Sequence, residues 1–295
     1  MLDLFETYLL KEKRYSEHTL KAYMSDITSF IEFAQIKDKK EDLKEVNKQL
    51  IRAWIVQLVN DKINPQSINR KLSSLRTFFK WMQTNGDIEV NPASSINGPK
   101  AHKRLPEFVQ EQNVEETTIM PIFTDDFFGI RDRLMFELFY QTGIRLSELI
   151  NLKEKDISSN ETIKVLGKRN KERIIAISPV LYEQIKSYLI AKTALGFSNP
   201  ELFVTDKGEI LYPKFVYRKI NIYLSKVSSL KKKSPHILRH TFATHLLNNG
   251  AGLEVLKEIL GHESLAATQI YTHNSFAQIN EIYKQAHPRE RLKKK

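Results

Sequence analysis

The chain has 295 residues, 41% of them hydrophobic and 27% charged, the proportions of a globular protein with one or two cores rather than a disordered one. Cysteine is absent, which excludes disulfides, thiol catalysis and cysteine-ligated zinc and agrees with a reducing, cytoplasmic setting. No apolar run reaches the ~20 residues of a membrane span, and the acid-bearing opening Met1–Glu6 does not read as a secretory signal. A net charge of +11 and a pI near 9.5 favour a polyanionic partner, because each phosphate contact releases condensed counterions.

In chain order, Leu4–Leu10 predicts a short helix, and Leu20, Tyr23, Ile27, Phe30 and Ile31 recur at helical spacing. Leu50–Val59 is a third amphipathic stretch through Ile51, Trp54, Ile55 and Leu58. Asn64-Pro65 starts a fourth, carried by Ile68, Leu72, Leu75, Phe78, Phe79 and Met82. These helices predict a small bundle with a basic face that includes Arg70, Lys71 and Arg76. Asn91-Pro92 ends the pattern, and Glu107–Thr118 is polar, acidic and aperiodic. The expected organisation is an N-terminal helical domain over 1–103, a linker over 104–118 and a second domain over 119–295. The second domain opens with cap chemistry at Thr124-Asp125-Asp126 before a helix through Leu134 and Phe139. Gly143 is placed to end that helix, and Ser147-Glu148 to start the next. Two β-rich runs, Ile163–Leu166 and Arg173–Ile177, flank the polar Gly167–Lys171 and predict a hairpin. Helices follow over Pro179–Ala194, Lys214–Val227, Pro235–Asn248 and Leu253–Leu260. The fold class expected is mainly α with a small antiparallel sheet in the second domain.

Several of these positions bear on chemistry. His236, Arg239 and His240 lie three and four apart, so His236 shares a helical face with one or both partners. Leu238, Phe242, Leu246 and Leu247 form the apolar stripe, which sets Arg239 at the edge of a buried face. A guanidinium there needs an anion, either a carboxylate or a substrate phosphate. Gly261 supplies a left-handed turn that would place His262 at a helix C-terminus, where the dipole favours imidazolium. Tyr271 follows nine residues later. A phenol, with an ordinary pKa of ~10, is a poor nucleophile unless activated, and cationic neighbours suit an anionic phosphoryl centre that gains charge in its transition state. Singly, each has a plainer reading: a capping histidine, a packed tyrosine, a solvated lysine on a hairpin tip.

Taken in order, the set resembles the tyrosine recombinases of the phage-integrase superfamily, and most of all the bacterial Xer type. Thr142-Gly-Ile-Arg145-Leu-Ser-Glu148-Leu is similar to the family's first arginine box, and Gly167-Lys168-Arg169-Asn-Lys171-Glu-Arg173 to the hairpin that bears its lysine. His236-Ile-Leu-Arg239-His resembles the His-x-x-Arg box, and Leu260-Gly-His262 through Ile270-Tyr271-Thr-His273 the segment that ends in the nucleophile. Tyr15–Thr19 and Ile68–Phe79 extend the resemblance, less specifically, into the N-terminal domain. The family usually has glycine where Arg169 stands. Lys168 and Lys171 are both on offer as the catalytic lysine, and the motif favours Lys168 with Lys171 as a phosphate contact.

The resemblance implies a transesterification on double-stranded DNA. Tyr271 would attack the scissile phosphorus to give a 3′-phosphotyrosyl link and a free 5′-hydroxyl, and the partner strand's hydroxyl would later reverse the step. Arg145, Arg239 and His262 would hold the nonbridging oxygens, Lys168 would protonate the leaving oxygen, and His236 would accept the tyrosine proton. Glu148 would orient the arginines, while Arg70, Lys71, Arg76, Arg169 and Lys171 would contact DNA. A two-metal nuclease needs converging carboxylates, which this set lacks, so neither metal, cofactor nor ATP is expected. The family relationship further implies a C-shaped two-domain clamp and a homo- or hetero-tetramer in which a C-terminal helix, resembled by Ser275–Ala286, docks into a neighbour. It also implies action on a chromosomal site during segregation alongside a septal DNA translocase. A mobile-element integrase is the alternative within the family. A type IB topoisomerase shares much of the residue set but not the N-terminal bundle, and a non-catalytic DNA-binding relative would lack some of the six residues.

Overall fold

The polypeptide divides into two units, Met1–Arg104 and Leu105–Lys295. The computed structural model describes residues 1–38, 41–100, 107–167, 172–261 and 281–291.

The first unit is built on α1 (Leu2–Lys11), α2 (Glu17–Phe33), α3 (Lys48–Asn60) and α4 (Pro65–Thr84). Their starts follow from capping side chains: Ser16 accepts from Thr19 N, Asn47 from Leu50 N and Asn64 from Gln66 N, with Pro65 in the first turn. The apolar faces meet in one core around Phe5, Phe30, Trp54, Phe78 and Phe79. Its rings pack edge-on, with Phe5–Phe78 centroids 5.0 Å apart and Phe30–Trp54 5.2 Å. One charge enters this core. Asp26 of α2 is 1% exposed, and α4 compensates it with Ser74 Oγ at 2.8 Å, Lys71 Nζ at 3.2 Å and Arg70 Nη1. Three donors offset the desolvation of one carboxylate and lock the register of α2 against α4.

In the second unit, α5 (Glu116–Ile119) leads to α6 (Phe127–Thr142) and α7 (Leu146–Ile150), followed by β1 (Ile157–Ser158), β2 (Thr162–Leu166) and β3 (Glu172–Ala176). The strands form an antiparallel sheet in the order β1-β2-β3, with Val165 opposite Arg173. Then come α8 (Pro179–Ala194), α9 (Pro213–Val227), α10 (Pro235–Asn248) and α11 (Leu253–Leu260). Asp126 caps α6 by accepting from Gly129 N at 2.7 Å. The expected class, mainly α with a small antiparallel sheet, is the observed one. None of the described helices is long and apolar enough to cross a membrane.

Residues 107–118 depart from the linker reading. Val109, Val114 and Ile119 are buried in the core of the second unit, so the stretch folds as its first segment. Val109 N donates to Thr241 Oγ1 at 3.0 Å, and Val109 O accepts from His245 Nε2 at 2.9 Å. With its Nε2 proton so used, His245 presents Nδ1 as the acceptor for Tyr140 OH. Burial holds His245 below the usual histidine range. A polar composition hid two apolar anchors, Val109 and Val114.

The chain returns to the same region at residues 281–291. Tyr283 and Ala286 pack with Phe242, Leu246, Leu256 and Leu260, and Arg289 Nη2 pairs with buried Glu137 at 2.9 Å. Within this chain, the described part of the stretch expected to dock on a neighbour is packed on its own unit.

Candidate active site

The site is assembled where two helix ends and a strand meet. At the first, α6 ends at Gly143, whose left-handed φ of +60° is open to glycine at little cost. A Cβ there would lie 2.6 Å from Phe242 Cδ1 and 2.8 Å from Leu260 Cδ2. This tight turn delivers Arg145 to the start of α7, where Glu148 accepts from Arg145 N at 2.8 Å. The same carboxylate accepts from Arg145 Nη1 at 2.7 Å through Oε1.

The second element is β3. Arg173 Nη1 and Nη2 reach both oxygens of Glu148, at 2.7 and 2.8 Å, and Arg173 Nε donates to Ile259 O at 3.1 Å. The third is the C-terminus of α11. Arg239 of α10 donates through Nη2 to Leu260 O at 2.7 Å and through Nη1 to Gly143 O, while Arg145 Nη2 donates to Gly261 O at 2.7 Å. Among the described residues Arg239 therefore has backbone carbonyls at two helix ends as partners rather than a carboxylate, one of the two anions expected; the negative ends of α6 and α11 take that place.

Two guanidiniums thus grip one carboxylate, and the third, Arg239, rests on the neighbouring carbonyls. Burial alone would push Glu148 up, but Arg173 and then Arg145 outweigh it and hold the carboxyl at about 2. Arg239 is lowered to about 10 by burial and by the charges of Arg145 and Arg173, with Glu148 opposing. It stays cationic at neutral pH. A guanidinium carries five N–H donors, and the side chains of Arg145 and Arg239 each use two of them among the described residues. Positive charge and hydrogen-bonding capacity remain for an anion. His236 is exposed in the first turn of α10, with no side-chain partner among the described residues.

The structure therefore brings together Arg145, Glu148 and Arg239, on the turn that leads to His262. Lys168, Arg169, Lys171, His262 and Tyr271 lie outside the described residues. Arg70, Lys71 and Arg76 are in the first unit and are engaged there. Arg70, with its side chain 50% exposed, and Lys71, at 16%, pair with Asp26. Arg76 donates to Ala93 O and Ile96 O and so fastens the chain that follows α4. Arg173 escaped the sequence reading as a site residue. Its signal was present: strand alternation puts it on the inward face with Ile175, and a charge there requires a partner.

Residues 107–278 match the phage integrase family, and residues 2–86 match the N-terminal SAM-like domain of phage integrases. The chain belongs to the phage integrase family. As a tyrosine recombinase it is similar over nearly its whole length to proteins named tyrosine recombinase XerC. It is 36% identical to that of Thermodesulfovibrio yellowstonii and 38% to that of Staphylococcus epidermidis strain RP62A, with 96% of this chain and 95% of each relative covered. Among solved structures, a XerH site-specific recombinase bound to a palindromic difH substrate, in a post-cleavage complex, superposes with a TM-score of 0.72 at 22% identity, covering 99% of this chain and 83% of that one. A lambda integrase dimer bound to a COC′ core site superposes at 0.67 and 19%, covering 92% and 98%. At such identities the superpositions establish the fold of this recombinase.

Proposed function

We propose that this recombinase cuts and rejoins double-stranded DNA through a 3′-phosphotyrosyl link to Tyr271, by way of a Holliday junction. Arg145 and Arg239 hold the nonbridging oxygens of the scissile phosphate, where charge develops in the transition state. Glu148 keeps Arg145 oriented without neutralising the cluster. His262 adds a hydrogen bond, Lys168 protonates the departing 5′-oxygen, and His236 takes the phenolic proton. Bond energy is kept in the covalent link, so the cycle needs neither ATP nor metal.

The observation that carries this reading is the pairing of Arg145 and Arg239 on adjacent carbonyls, Gly261 O and Leu260 O. Both keep unused donors at the turn from which the segment bearing Tyr271 departs. Both units take part in binding duplex DNA, with four protomers acting on paired half-sites. The similarity to XerC proteins over 96% of the chain favours chromosome-dimer resolution at a dif-like site in the cytoplasm, by a homo-tetramer or a hetero-tetramer with a paralogous recombinase, and with a septal DNA translocase as partner.

A suicide duplex nicked beside the scissile phosphate tests the chemistry. Wild type should accumulate a covalent protein–DNA adduct in EDTA, and Tyr271→Phe should form none while still shifting the duplex in a gel. An adduct formed at wild-type level by Tyr271→Phe rejects the nucleophile. For the biological role, deletion should leave chains of unresolved chromosomes that the wild-type gene corrects; normal segregation in the deletion strain points to a mobile element instead.

A further inference from the structure

We propose that Arg173 is a positioning residue for DNA cleavage, acting through Glu148 to preset the guanidinium of Arg145. This rests on the reading of Arg145 as a phosphate clamp and assigns the residue that orients it. Glu148 is 5% exposed and Arg173 8%, so neither exchanges its partner for water cheaply. Arg173 grips both carboxylate oxygens, whereas the Arg145 side chain touches Oε1 alone. The anchor of the carboxylate is therefore Arg173, and Glu148 in turn holds Arg145 Nη1. With the carboxylate so anchored, Arg145 spends one side-chain donor on Glu148 and one on Gly261 O and keeps the other three for substrate. Fixing a donor before the anion arrives removes the reorganisation cost from the reaction step.

The position of Arg173 adds a second link. It sits on β3, five residues after Lys168 in sequence, and its Nε donates to Ile259 O at the end of α11. Gly261, two residues on, leaves room for it: a Cβ there would come within 3.3 Å of Arg173 Cδ. One side chain thus joins the arginine box, the lysine hairpin strand and the turn before His262. Lysine cannot substitute, since a single ammonium does not grip two carboxylate oxygens and a carbonyl in this fork geometry.

The test measures single-turnover cleavage of the suicide duplex and DNA affinity separately, for Arg173→Gln, Arg173→Lys, Glu148→Gln and the Glu148→Gln/Arg173→Gln double variant. Arg173→Gln should slow cleavage about 10- to 100-fold, the scale of a small misplacement at a reacting centre, with DNA affinity near wild type. In the Glu148→Gln background the same change should cost much less, because the route through the carboxylate is already broken. Wild-type cleavage by Arg173→Gln overturns the proposal, and so does an equal fold-loss in both backgrounds. Should Arg173→Gln fail to fold in urea titration, Arg173→Lys decides: a folded protein with slowed cleavage supports the role, and a wild-type rate rejects it. Arg145→Gln is the control for the underlying reading. If it cleaves normally, the phosphate clamp is wrong whatever Arg173 does; if it is inactive while Arg173→Gln is normal, only the positioning role fails.

Discussion

A buried carboxylate among guanidiniums makes Glu148 the most consequential single residue described. Its ordinary pKa of 4.5 falls to about 2 in the folded protein, so the stability it contributes is fully present above pH 4.5 and is lost as pH falls toward 2. Removing one partner from a buried charge group costs about 3–5 kcal/mol. Glu148→Gln should therefore be destabilised by about that much at pH 7, and the gap to wild type should close as pH is lowered from 4.5 to 2. Urea titrations at a series of pH values check this, and a gap independent of pH would contradict it. At this scale the sequence singled out Arg145, Glu148 and Arg239 as candidates because their motifs combine residue type with local spacing, and the structure brings the three together. Arg173 was less so. Its partner, Glu148, lies 25 residues earlier, and only the strand's alternation hinted that it faces inward.

Among the elements, helix ends do the positioning. The C-terminus of α6 presents Gly143 O, and that of α11 presents Leu260 O and Gly261 O; these carbonyls take Arg239 and Arg145 as their cationic caps. Gly143 is the least replaceable part of this joint. Gly143→Ala forces a left-handed residue at a cost of about 1–2 kcal/mol and drives a methyl into Phe242 and Leu260, adding about 1–3 kcal/mol of overpacking. The variant should lose stability of that order in urea, and its cleavage rate should fall with the displaced arginines. Gly250→Ala is the matched control, since it shares the positive φ but has open space around its Cβ; an equal loss there would show that packing at Gly143 is unimportant. The helices themselves were readable from periodicity and caps. The segment at 107–118 was not, because Val109 and Val114 are too sparse to set a period, and Thr241 and His245 bond to Val109 from more than 130 residues away.

For the molecule as a whole, each unit has its own core. Met1–Arg104 closes on Phe5, Phe30, Trp54 and Phe78, and it carries its own buried ion cluster at Asp26. A domain of this size buries enough apolar surface to fold alone. The fragment 1–104 should therefore be helical and melt cooperatively by circular dichroism. A featureless melt would mean that its core needs the second unit. In the fragment, Asp26→Ala should lower the midpoint sharply, because it strands Lys71 and Ser74 at a buried junction.

The sequence by itself determined the helix and strand pattern, the mainly α class and the family, since periodicity, caps and spaced motifs are local properties written along one dimension. It also marked Arg145, Glu148 and Arg239 as candidate site residues. Tertiary structure alone decided what these groups touch: that Arg239 rests on two carbonyls, that Arg173 is the anchor of Glu148, and that residues 107–118 belong to the second core. Those outcomes depend on which helix end or strand face arrives beside a buried charge. A charge taken out of water accepts whatever partner the packing supplies, and packing joins residues that the sequence holds far apart.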